Sequence, residues 1–120
     1  MNFLHLVSYF FGGAFLANAV PHLVSGLRGE PFQTPFAHPP GRGLSSSTVN
    51  VVWGVVNLVM AYALVRRAGD FDLKITADAA AFGLGILVLG LFLARHFGEL
   101  HGGNASVRGR RWGCRSRGWS

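Results

Sequence analysis

The apolar positions of this chain come in long blocks and follow no amphipathic rhythm. Residues 3–27 and 48–65 contain no Asp, Glu, Lys or Arg, and residues 75–94 contain only Asp78. Each block is apolar around its whole helical circumference. A surface helix of a soluble globule buries one stripe; a helix that is apolar all round belongs in lipid or in a large core. A chain of 120 residues cannot enclose three such segments. A membrane core of about 30 Å is crossed by roughly 20 helical residues. The pattern therefore predicts an all-α integral membrane protein with three transmembrane helices, over about residues 3–27, 48–65 and 75–94.

Composition agrees. Half the residues are hydrophobic and 13% are charged, against about 25% charged in soluble domains. The net charge of +6 at first suggests a basic protein with an acidic partner. Its distribution changes that. Of 11 Lys and Arg, Arg108, Arg110, Arg111, Arg115 and Arg117 follow Gly102, whereas all five acidic residues precede it. The body, residues 1–101, carries +1 and the tail, residues 102–120, carries +5. The tail is rich in Gly and Ser and lacks apolar periodicity, so it is read as disordered. Arg108, Arg110, Arg111 and Trp112 suit contact with anionic lipid, at about 1 kcal/mol per basic residue near the surface. Nucleic acid is the less favoured partner, because a membrane span holds the tail beside lipid. Cys114 stands alone and forms no internal disulfide.

The connections differ. Residues 66–74 are short and charged, as in an antiparallel helix pair. Residues 28–47 hold four of the five prolines and read PFQT, PFAH, PPGR. That spacing predicts an extended, polyproline-like path. Phe32 and Phe36 would press it against the membrane interface as an ordered lid, and Ser45, Ser46, Ser47 and Thr48 offer N-caps for the second helix. Ala17-Asn18-Ala19 matches a small-x-small cleavage pattern. No Lys or Arg precedes it and the apolar run continues to Leu27, so the first span is read as retained. With three spans, Arg66, Arg67 and Lys74 share a side with the N-terminus. Arg28, Arg42, Arg95 and the tail lie on the other. The positive-inside rule then places the C-terminus in the cytoplasm, and a multi-pass protein of the bacterial inner membrane is expected.

Polar groups inside spans are costly and face the bundle or a cavity. Asn18 and His22 are four apart and share a face, and Pro21 between them removes one backbone donor. Asn50, Gly54, Asn57 and Ala61 form one stripe on the second helix. Ser8 with Gly12, and Ala79 with Gly83 and Gly90, form smooth strips on the first and third. Small and amide residues so arranged suit close helix packing with interhelical hydrogen bonds. The favoured reading is a packing seam. The competing reading is a ligand site of Asn18, His22, Asn50 and Asn57, with His38 and Arg42 reaching in from the loop. His22 and His96 lie near the same membrane side, which admits a haem only on paper. Zinc spacing and nucleophile motifs are lacking, so neither metal nor cofactor is expected and no catalytic residue is assigned. Asp78, in the first turn of its helix, suits the helix dipole and a pair with Lys74.

Residues Asn18–His22, PFQTPFA, PPGRGLSS and Asn50–Asn57 resemble small bacterial integral membrane proteins that have no assigned activity. The resemblance covers about residues 10–60 and implies a membrane protein without implying a reaction. A non-enzymatic accessory or structural membrane subunit is the expected role, with a small oligomeric transporter or channel around His22 as the alternative. The Gly and Ala seams of so thin a bundle suggest a homo-oligomer or a subunit of a larger membrane complex.

Overall fold

The computed structural model describes residues 2–104. It contains α1 (Phe3–Leu27), β1 (Phe32–Gln33), β2 (Leu44–Ser45), α2 (Ser47–Arg66) and α3 (Thr76–His101). All three helices are long and apolar enough to cross a membrane. Their ends have local causes. The Asn2 side chain accepts from Leu4 N at 2.9 Å and starts α1. Ser46 is the N-cap of α2, its hydroxyl accepting from Val49 N at 3.3 Å. Gly102, in the left-handed region at φ 78°, ends α3, where a residue with a Cβ is strained. Replacing the cap, Ser46→Ala, is expected to destabilise by about 1 kcal/mol. Faster hydrogen exchange confined to the first turn of α2 would register it.

The third helix is longer than the sequence pattern suggests. Apolarity fades at Arg95, but the helix continues to His101. Hydropathy marks where a bilayer ends and not where a helix ends. The added turns carry His96, Phe97 and His101, which pack on the connection between α1 and α2.

α1 lies in the middle. It packs on both α2 and α3, which scarcely touch each other. Consecutive glycines allow this. A Cβ at Gly12 would come within 2.5 Å of Val65, on α2, and one at Gly13 would strike the Phe82 carbonyl, on α3. The Ser8 hydroxyl adds a bond to the Leu64 carbonyl at 2.6 Å. On α2, the buried residues are Asn50, Gly54, Asn57 and Ala61, the stripe that the spacing defines. On α3 the seam differs from expectation. Gly83 and Gly90 face open space, while Gly85 abuts the backbone of Phe10 and Ala14. Asp78 likewise does not pair with Lys74: its carboxylate accepts from Asp72 N at 3.1 Å.

Burial is inverted relative to a soluble domain. Asn50, Asn57 and His22 are almost wholly enclosed, while Val52, Val59, Leu87, Val88 and Leu91 point outward. Polar groups inside and aliphatic groups outside suit a hydrocarbon solvent.

The 28–46 connection does not follow a polyproline path. It folds back into a hairpin whose two-residue antiparallel ladder pairs Phe32 with Ser45 and Gln33 with Leu44. Thr34, 1% exposed, organises the turn: its carbonyl accepts from Ala37 N and Gly41 N, and its hydroxyl bonds Ser45 and Phe36 N. The sequence-predicted contacts of Arg108, Arg110, Arg111 and Trp112 with lipid fall outside the described residues.

A candidate polar site beneath the hairpin

Asn18 and His22 project from one face of α1 toward Asn57 and Asn50 of α2. Asn18 Nδ2 donates to Asn57 Oδ1 at 2.9 Å, and Asn57 Nδ2 donates to the Trp53 carbonyl at 2.8 Å. α1 runs unbroken through Pro21, so the shared face of Asn18 and His22 is kept.

Asn50 is the hub. It is 0% exposed, and its Nδ2 lies 3.1 Å from the Phe32 carbonyl, 3.2 Å from that of Ser45 and 3.0 Å from that of Ser46. A carbonyl only accepts, so three of them fix the amide orientation. Oδ1 is thereby turned to His22 Nδ1, at 2.7 Å. An amide oxygen also only accepts, so the imidazole must donate from Nδ1. In the neutral ring Nε2 then carries the lone pair. One side chain thus ties α1, α2 and both hairpin strands together and selects the histidine tautomer.

Aromatic edges seal this centre. Phe32 meets His22 at 5.5 Å, Phe97 at 4.6 Å and His101 at 5.5 Å between ring centroids. Phe36 covers Trp53 at 4.9 Å. The extended end of α3 clamps the hairpin from the other side. His96 Nε2 donates to the Gly41 carbonyl at 2.6 Å, and His101 Nε2 lies 3.0 Å from Gln33 Oε1.

A cavity of about 310 Å³ remains among Asn18, His22, Gln33, Trp53, His96 and Phe97, with Thr34, Pro35, Gly41 and Phe92 at its margin. A second, of about 340 Å³, continues from Asn18, Trp53 and Phe92 along Phe11, Phe15 and Leu89, in the gap between α2 and α3.

Comparison with known protein families, characterised proteins and solved structures finds no match. The site must therefore be read from its own chemistry.

Of the candidate residues, Asn18 with Asn57 and His22 with Asn50 form two hydrogen-bonded pairs between α1 and α2, with Asn18 and His22 reaching the cavity wall. His38 and Arg42 are not. Both are exposed on the hairpin turn, where Arg42 N and Gly43 N bond the Pro39 carbonyl. That turn carries Gly41 and not His38 to α3. The sequence reading overlooked Gln33, Thr34, Trp53 and Phe97. His22 and His96 do line the same cavity, but no group of three or more His, Cys, Asp or Glu gathers as a metal site among the described residues.

Proposed function

We propose that this chain is a non-enzymatic accessory or structural subunit of a bacterial inner membrane. Its C-terminus faces the cytoplasm, its hairpin lies at the interface, and its Arg-rich tail rests on anionic lipid. One observation carries the reading. The amide of Asn18 is engaged with that of Asn57, that of Asn50 with His22, and those of Asn50 and Asn57 also with backbone carbonyls, as fastenings and not as reactive groups. Thin bundles of this kind assemble by packing and interhelical hydrogen bonding. Native mass spectrometry of the full chain, extracted in a mild detergent, tests this. A homo-oligomer or a stoichiometric complex is expected; a bare monomer at membrane-like concentration would refute it.

The cavity beneath the hairpin favours a second reading, a small transporter or channel built around His22. His22→Ala and Asn57→Ala separate the two. The subunit reading expects altered assembly alone. Loss of solute uptake into proteoliposomes by a still-assembled protein would favour transport.

A further inference from the structure

We propose that the two joined cavities form one binding site for a neutral, single-chain amphiphile bearing a hydroxyl head. The head occupies the space beneath the hairpin and the chain lies in the gap between α2 and α3. This goes beyond the subunit reading and does not depend on it.

Four observations lead there. The first is continuity: Asn18, Trp53 and Phe92 line both cavities, so the polar chamber opens directly into the apolar one. The second is depth. The chamber is lined at His22, near the hairpin, and the trough reaches Phe11 on the same helix. Those positions are separated by about 16 Å of helix at ~1.5 Å per residue, roughly half the hydrocarbon thickness. A lipid entering from one leaflet spans that depth with its head at the interface. The gap exists because α1 alone holds α2 and α3, and in a bilayer such a gap is filled by a chain of lipid or by another helix.

The third is the absence of charge. Neither cavity is lined by Asp, Glu, Lys or Arg. A carboxylate or phosphate head would enter without a counter-charge, at a cost of several kcal/mol. A neutral head avoids it.

The fourth is the free nitrogen. His22 is 2% exposed, its Nδ1 is committed to Asn50 Oδ1, and its Nε2 has no hydrogen-bond partner among the described residues. His22 lines the chamber, and so does Trp53, whose buried Nε1 also lacks a partner among the described residues. Asn50 fixes the tautomer, so Nε2 offers a lone pair. It accepts a hydrogen bond from a hydroxyl and repels a bare carbonyl. A monoacylglycerol or a prenylated quinol supplies such a hydroxyl, and the aromatic walls suit either.

The test titrates the full chain in detergent with four probes and reads bound mass by native mass spectrometry. The probes are 1-mono-oleoylglycerol, a prenylated benzoquinol, oleate and oleyl phosphate. Saturable binding of one equivalent of a hydroxyl probe is expected, at least tenfold tighter than either charged probe; which hydroxyl probe wins identifies the source. Binding should fall at least tenfold in His22→Phe. Leu89→Trp, which fills the trough without touching the Asn50 group, should abolish it while assembly is unchanged. Equal binding of all four probes would mean an ordinary lipid belt and would overturn the proposal. So would retention of binding in Leu89→Trp. A copurifying helix that blocks every probe would mean that a protein partner occupies the gap, and would overturn it equally.

Discussion

Asn50→Leu should open the hairpin and loosen the bundle: it keeps the branched outline of the side chain but removes its polar atoms and adds bulk. The amide serves three carbonyls and one imidazole from a position with no exposed surface. Leucine leaves the Phe32 and Ser45 carbonyls without this donor, while the Ser46 carbonyl keeps its bond from the backbone N–H of residue 50, and leaves His22 Nδ1 donating to nothing. Each buried polar group so abandoned costs about 1–3 kcal/mol. Interhelical bonds in lipid sit toward the lower end of such values, and a loss of about 3–5 kcal/mol is expected overall. Arg42 makes this measurable. It is exposed on the hairpin turn, so trypsin cleavage after Arg42 reports hairpin opening. A local destabilisation of about 3 kcal/mol corresponds to roughly a hundredfold faster cleavage when opening is in rapid equilibrium. Val52→Leu, on an outward face, should leave the rate unchanged. If the two variants are cleaved alike, Asn50 is not the fastening.

The importance of Asn50 was half legible in the sequence. Its membership of a buried stripe follows from spacing, because Asn50, Gly54, Asn57 and Ala61 stand out against aliphatic neighbours and recur at helical intervals. Asn18 and His22 could be placed opposite them for the same reason. The targets of the Asn50 amide could not. Phe32 and Ser45 form a ladder too short to show alternation, and the four prolines around it imply an extended course. The folding back depends on Thr34, a small polar residue with no distinctive pattern, and on Phe32 packing against Phe97, which is 65 positions away in the chain. The clamp from His101 to Gln33 joins residues that no local rule relates. Hydropathy located the spans closely at α1 and α2. It lost the last turns of α3, because those turns are stabilised by the hairpin and not by lipid.

The glycines of α3 show the same limit and supply the second large effect. Gly83 and Gly85 differ by two positions, about 200° around a helix, so they face nearly opposite ways. On a helix that is apolar all round, nothing in the sequence says which face meets α1. The geometry decides for Gly85: a Cβ there would strike the Phe10 carbonyl and lie 3.0 Å from Ala14 N. Backbone cannot step aside as a side chain can, so α3 must move away from α1. Because α2 offers α3 almost no contact, a displaced α3 is retained only through its hairpin end. Gly85→Leu is therefore expected to cost about 3 kcal/mol or more and to splay α3. Spin labels at the exposed positions Leu4→Cys and Ile75→Cys, in a Cys114→Ser background, place one reporter at the end of each helix away from the hairpin. Their distance distribution should broaden sharply in Gly85→Leu. Gly83→Leu and Gly90→Leu, whose added side chains enter open space, should leave it narrow. Broadening in Gly83→Leu with none in Gly85→Leu would mean that α3 meets α1 through its other face. The trough between α2 and α3, whose α3 wall is Leu89, Phe92 and Leu93, would then lose that wall, so this measurement also bears on whether the gap can hold a lipid chain.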